Sequence, residues 1–165
     1  YAMHVYRLLM DAGTKFDIAN AGYRALNSLR VEKGYVVWAS DVTPDYSPYH
    51  ARLEKLISRK KSDFIGRAAI EKIAQQGPDR LLCIFALDRK VPVFGGEAIL
   101  RNGQVLGVTS SGDFGHTIGK PIVYGYVPRE DAVHEDYVVE VYGEPVIAKR
   151  ATAPLYDPEG VRFRG

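Results

Sequence analysis

The sequence predicts an α+β chain, with a helical segment over residues 1–78 followed by an antiparallel β module over residues 79–165. Three observations carry that reading. Apolar residues recur at helical spacing as far as Gly77-Pro78. Beyond it, six strand signals come at short, regular intervals. Between those signals lie tight reversals, of which Arg101-Asn102-Gly103-Gln104 is the clearest, because Asn-Gly tolerates the positive φ angles of a type I′ hairpin turn.

In chain order, Tyr1, Val5, Leu8, Leu9 and Ala12 share one helical face, and Gly13 supplies a stop. Asn20 is a candidate cap for a second helix, in which Ala21, Ala25 and Leu29 recur every four residues until Gly34. Tyr35-Val36-Val37-Trp38 reads as a strand and is followed by a loop containing Pro44 and Pro48. A third helix is expected from about Asp63, packing through Ala69, Ile70 and Ile73 and ending at Gly77-Pro78. The strand signals fall at 81–87, 97–100, 104–110, 121–127, 137–142 and 145–150. Ile122, Tyr124 and Tyr126 alternate with Val123, Gly125 and Val127, a pattern that suits a strand packed on both faces. Six short strands with regular turns imply a small barrel or sandwich.

Composition excludes several function classes. The 165 residues carry 22 basic and 20 acidic side chains in a well-mixed pattern, so neither a nucleic-acid footprint nor a polybasic membrane patch is expected. Arg59-Lys60-Lys61 reads as a solvated turn. No run of 18 apolar residues occurs, so no membrane partner is expected. The single cysteine, Cys83, precludes an internal disulfide and sits in a strand pattern, as a small core hydrophobe would. The chain opens on Tyr1 with helical periodicity already running, which suggests a segment of something longer.

No chemical motif is complete. His4, His50, His116 and His134 are scattered, without the short spacing of metal ligands, so no metal is expected. The stretch from Gly107 to Lys120 is rich in glycine, yet it matches neither phosphate-loop nor dinucleotide spacing and no helix pattern follows it. It reads as a connection between barrel strands. Ser110 and Ser111 lack a nucleophile elbow, so no catalytic residue is assigned.

Three ordered stretches resemble the aminomethyltransferase family, whose type member is the glycine cleavage T-protein. The first is Gly22-Tyr-Arg-Ala-Leu-Asn-Ser-Leu-Arg-Val-Glu-Lys-Gly34 with Trp38-Ala-Ser-Asp41 and Thr43-Pro44-Asp45-Tyr46-Ser47-Pro48. The second is Asp63-Phe-Ile-Gly-Arg-Ala-Ala69, and the third is Gly107-Val-Thr-Ser-Ser-Gly112 with Tyr124-Gly-Tyr-Val-Pro128. Ser28-Leu-Arg-Val-Glu-Lys-Gly34 is most similar to the version in sarcosine and dimethylglycine dehydrogenases, since T-proteins usually have Glu-Ala-Gly there.

The resemblance implies the helical end of an aminomethyltransferase folate-binding domain followed by a C-terminal antiparallel β-barrel. It also implies tetrahydrofolate as cofactor, with an incomplete site on this chain. FAD would belong only to a separate N-terminal domain of the parent, which oxidises a small N-methyl amine and passes the one-carbon unit to folate. The implied partners are therefore the flavin segment and the remaining folate-domain segment of the same polypeptide. The compartment would be the mitochondrial matrix in a eukaryote and the cytoplasm in a bacterium. Trp38 matches a family aromatic, usually Tyr in T-proteins, that lines the folate cavity. Tyr156, in Pro154-Leu-Tyr-Asp-Pro158, falls in the tail that approaches the ligand. Arg30 and Glu32 match the Leu-Arg-x-Glu signature, for which an ion-pair or helix-end role is expected.

The departures are specific. Leu26 stands where T-proteins commonly carry Arg, with Arg24 as a candidate replacement. The usual Pro-x-Glu-Ala-Gly-Leu reads Pro48-Tyr-His-Ala-Arg-Leu53, placing His50 and Arg52 at the Glu and Gly positions. The leading reading is the folate-side part of a demethylating flavoenzyme. The alternatives are a non-catalytic barrel module of the family, serving regulation or assembly, and an aminomethyltransferase of the glycine cleavage type. A folate-dependent RNA-modification or repair role is disfavoured by the Glu-Lys-Gly signature.

Overall fold

The computed structural model describes residues 1–58 and 60–164, with Phe163 described in its backbone alone, so Arg59 of the expected basic turn lies outside the described residues. Three helices, α1 (Ala2–Gly13), α2 (Tyr23–Lys33) and α3 (Arg67–Gln76), precede six strands. These are β1 (Arg80–Leu87), β2 (Ala98–Arg101), β3 (Gln104–Gly115), β4 (Lys120–Pro128), β5 (Asp136–Val141) and β6 (Glu144–Ala151). A short helix, α4 (Val161–Arg164), closes the tail.

The strands form a closed antiparallel barrel in the order β1-β4-β3-β2-β5-β6, with β6 returning to β1. Closure removes the exposed edges that would otherwise invite pairing with another chain. The predicted Asn102-Gly103 reversal takes the type I′ form, at φ 52° and 77°, and a second one at Tyr142 and Gly143 does the same, at 52° and 80°. The alternation read from β4 holds. Val123 and Val127 point into the barrel with Cys83, Phe85, Leu87, Ile99, Val139 and Val146. Ile122, Tyr124 and Tyr126 point outward into a second cluster with Leu82 and Val31 of α2. Gly125 faces the interior, where a Cβ would lie 2.4 Å from Ile99 Cδ1, so a bare backbone is what lets Ile99 fill the barrel.

The glycine-rich stretch is not a connection. β3 runs through it to Gly115, and only residues 116–119 turn. Glycine serves close approach there: at Gly107 a Cβ would sit 2.2 Å from the Tyr126 carbonyl oxygen.

The helical half departs from expectation at several points. Tyr35–Trp38 forms no strand; a single bridge joins Trp38 to Val42. α3 begins at Arg67, with Gly66 ahead of it at φ 88°, and Ile70 and Ile73 are half-buried while Ala69 is exposed. Asn20 does not cap α2, whose N-cap is Gly22; its amide instead donates to the Tyr6 hydroxyl at 2.9 Å.

The face of α2 is also inverted. Ala21, Ala25 and Leu29 are exposed, Leu29 by 58%, while Ser28, Val31 and Glu32 are buried against the barrel. The stripe of α1 is equally uncovered, with Val5, Leu8 and Leu9 all exposed. A helix turns its polar side to a barrel when that side finds hydrogen-bond partners there, and this one does: Ser28 Oγ donates to the Phe114 carbonyl at 2.7 Å, and Asn27 Nδ2 donates to Asp113 Oδ2 at 2.7 Å. No helix among the described residues is long and apolar enough to cross a membrane.

Candidate functional site

The last turn of α2 organises the two candidate ligand-facing residues. Gly34 ends the helix at φ 78° with a left-handed cap, its N–H bonding the Arg30 carbonyl. The chain then folds back through residues 37–42, a loop closed by Asp41 N–H to the Val37 carbonyl at 2.9 Å and Ala39 N–H to the Val42 carbonyl at 2.9 Å.

Asp41, fully buried, is the hub of this loop. Its Oδ2 accepts from Arg30 Nη1 at 2.6 Å and from the Val37 N–H at 3.0 Å. Its Oδ1 accepts from the hydroxyls of Ser110 and Ser111 in β3, each at 2.5 Å. Tyr126 donates its hydroxyl to the Asp41 carbonyl at 2.9 Å, and Ser40 Oγ bonds the Ser110 carbonyl at 2.8 Å. Arg30 is in turn steadied by Asn27 Oδ1, which accepts from its Nε at 2.9 Å. The signature arginine thus forms an ion pair with Asp41, as expected of a structural role, and the network holds Trp38 at the loop's edge with 67% of its surface exposed. Trp38 is not a core residue.

Tyr156 is fixed by the other side of the same helical turn. Its N–H donates to the Glu32 carbonyl at 2.9 Å. The next residue, Asp157, receives Lys33 Nζ on both Oδ2 and its carbonyl at 2.6 Å, and its Oδ1 accepts the Val161 N–H at 2.8 Å to cap α4. The Tyr156 hydroxyl accepts from Arg162 Nη1 at 3.0 Å, with that guanidinium 5.7 Å from the ring. Both residues are tied to the end of α2, but no aromatic pair or hydrogen bond among the described residues joins Trp38 to Tyr156. Leu26 and Arg24 lie exposed on the outer face of α2.

The buried tyrosines are neutral donors. Burial pushes the Tyr124 and Tyr126 hydroxyls well above their ordinary range, and Tyr124 bonds the Val31 carbonyl at 2.9 Å. Burial also raises the Cys83 thiol, against the opposing pull of Arg52 and Arg150, which leaves it a core side chain and not a nucleophile. No cluster of three metal-ligating side chains occurs among the described residues.

One constellation was invisible in the sequence. Ser47 Oγ lies 2.7 Å from His50 Nδ1, and His50 Nε2 lies 2.9 Å from Asp79 Oδ1. The order resembles a hydrolytic triad, but the Ser47 N–H also donates to Nδ1, at 3.2 Å, so the imidazole serves a turn. The trio ties residues 47–50 to the start of β1, next to the bond from the Leu82 N–H to the His50 carbonyl at 2.8 Å.

Acid should loosen both ties. The hydrogen bond from His50 holds the Asp79 carboxyl below its usual range, and the bond from the Lys33 ammonium does the same for Asp157. A depressed folded pKa contributes stability that is complete above the ordinary carboxylate value and is lost as pH falls through the folded one. Melting temperature measured from pH 6 to 2 should therefore hold steady to about pH 4 and then drop. Asp157→Asn should flatten that drop; an unchanged acid limb in this variant and in Asp79→Asn would show that other groups control it.

Two family models cover most of the chain. That for the glycine cleavage T-protein C-terminal barrel domain matches residues 80–157, and that for the GCVT N-terminal domain matches residues 1–61. The chain therefore belongs to the glycine cleavage T-protein family and comprises its C-terminal barrel with helical elements ahead of it. Among relatives, it is 41% identical over 170 residues to "Sarcosine dehydrogenase, mitochondrial" of Mus musculus, covering 98% of this chain and 18% of that protein. It is 37% identical over 174 residues to "Pyruvate dehydrogenase phosphatase regulatory subunit, mitochondrial" of Mus musculus, covering 94% of this chain and 20% of that one. The chain thus spans about a fifth of the length of these relatives. Among solved structures, the glycine cleavage system aminomethyltransferase T from Bartonella henselae superposes with a TM-score of 0.74 at 28% identity, covering 81% of this chain and 38% of that one.

Proposed function

We propose that this chain is the folate-side segment of a demethylating amine dehydrogenase of the sarcosine or dimethylglycine type, helping to pass a one-carbon unit to tetrahydrofolate. Within it we assign residues 1–78 to the end of the folate-binding domain and residues 79–165 to the barrel. The observation that carries the reading is an exposed indole, Trp38, on a loop locked by a buried ion pair, in a chain 41% identical to a sarcosine dehydrogenase. A pteridine needs an aromatic wall together with hydrogen-bonding acids. Trp38 and Tyr156 are our candidates for the wall. The buried acids here are already occupied: Asp41 by four donors and Glu32 by two backbone N–H groups. On this reading the chain supplies one wall of a folate site, not a whole one, and the sequence has no dinucleotide fingerprint for FAD. Both missing functions are assigned to other segments of the parent polypeptide, which would also cover the apolar stripes of α1 and α2. The mitochondrial relatives favour the matrix in a eukaryote; the cytoplasm is the assignment in a bacterium.

A second reading, a regulatory module without chemistry of its own, is favoured by the 37% identity to a phosphatase regulatory subunit. The two separate on the parent protein. Under the first, Trp38→Ala weakens tetrahydrofolate binding about tenfold, the order of one lost aromatic face with its burial, and leaves dye-coupled amine oxidation intact. Titration calorimetry and dye-coupled kinetics measure the two quantities. Undiminished folate binding in Trp38→Ala would remove the pocket from this loop, and a wild-type parent that neither binds folate nor oxidises amine would favour the regulatory reading. The chain alone should bind tetrahydrofolate undetectably at micromolar concentration, because half a site lacks the groups that hold the ring in place.

A further inference from the structure

A cavity of about 310 Å³ opens in the seam where β6 leaves β1. The two strands pair only from Ile84 opposite Ala151 to Leu87 opposite Ala148, so the N-terminal part of β1 is left without β6 beside it. Residues 51–55 and the tail residues 151–154 wall the gap. Its lining is apolar on the barrel side, from Leu82, Ile84 and Tyr124, and charged at residues Arg52, Glu54 and Lys55.

Arg52 is the unusual member. Its φ is +57°, the left-handed region that glycine enters freely and a long L side chain enters at a cost. The strain puts a guanidinium at the cavity, its Nη2 3.9 Å from Cys83 Sγ in the wall. Neither Arg52 nor Lys55 forms an ion pair among the described residues, and Glu54 offsets only one of the two positive charges. Asn102 and Tyr142 take a similar φ in hairpin turns, so the strain alone marks no site. At Arg52 it coincides with a solvent-accessible cation that has no ion-pair partner among the described residues and lines an apolar cavity, and that combination points to binding.

We propose that this seam cavity is a binding site for a small amphipathic carboxylate, with the apolar body against Leu82, Ile84 and Tyr124 and the anionic end received by Arg52, assisted by Lys55. A guanidinium presents paired N–H donors that match a carboxylate's two oxygens. Two sources share this chemistry: an acylated glutamate, and a free aliphatic carboxylate. The assignment does not depend on the folate site proposed at Trp38.

Ligand-observed NMR titration of the full chain tests it, with p-aminobenzoyl-L-glutamate and hexanoate as probes and their uncharged amide counterparts as controls. At least one carboxylate should bind in the millimolar range, with its amide at least tenfold weaker; which probe binds identifies the source. Arg52→Gly should melt no lower than the wild type, since glycine accepts the positive φ, yet bind that carboxylate at least tenfold more weakly. Lys55→Gln should weaken it by a smaller factor. Binding by neither carboxylate, equal binding of the amides, or wild-type affinity in a folded Arg52→Gly protein would overturn the proposal.

Discussion

Asp41→Ala is expected to destabilise the protein by about 3–5 kcal/mol, the cost of removing one partner from a buried ion pair and leaving the other charge uncompensated. The Arg30 side chain keeps little exposure, so its guanidinium would lose the carboxylate at 2.6 Å without regaining full hydration. The Ser110 and Ser111 hydroxyls and the Val37 N–H lose their acceptor in the same step. Urea denaturation with a two-state fit measures the loss, and Arg30→Ala/Asp41→Ala should be less destabilised than the sum of the single variants, because the two groups share one interaction. A loss below about 1 kcal/mol, or strict additivity, would mean that the network is a surface arrangement of little energetic weight. The variant should also free the loop that presents Trp38, visible as faster amide exchange at Ala39 and Asp41.

This network marks where the sequence stopped being informative. All six strands were legible, because alternation and Asn-Gly turns are local signals that the barrel reinforces. Tyr35-Val36-Val37-Trp38 carries the same β-branched and aromatic composition, but strand preference expresses fit to a neighbouring strand, and none lies beside it. The Val37 N–H goes to the Asp41 carboxylate instead. The inverted face of α2 failed for a related reason: periodicity identified an apolar stripe, while burial followed Asn27, Ser28 and Glu32 to partners more than 80 residues away in sequence. Asp41 itself had no local signature, since its partners Ser110 and Ser111 are 69 and 70 residues distant. Trp38 and Tyr156 were reached through resemblance alone. The structure adds that one is exposed at a loop's edge and the other is half-buried and engaged by Arg162.

Glu32 offers the sharpest separation of a structural role from a ligand-facing one. It is 1% exposed, and its Oε1 accepts the Thr117 and Ile118 N–H groups at 2.6 and 2.9 Å, inside the turn between β3 and β4. The approach depends on Gly115, where a Cβ would come within 2.9 Å of Glu32 Cγ. Glu32→Ala leaves the Thr117 and Ile118 N–H groups of a part-exposed turn without their acceptor and opens a void where a fully buried side chain stood, so a loss of about 2–3 kcal/mol is expected, most of it from the void. Glu32→Gln retains an amide oxygen able to accept both bonds and forfeits only the charge assistance, a loss of about 1 kcal/mol. Chemical denaturation of both variants gives the two values. On the parent protein, Glu32→Gln should leave folate affinity within a factor of two, since a carboxylate turned into the β3–β4 turn is not available to a ligand. A stable Glu32→Gln protein with strongly weakened folate binding would instead place this acid in the ligand's reach and require the β3–β4 turn to move when folate binds.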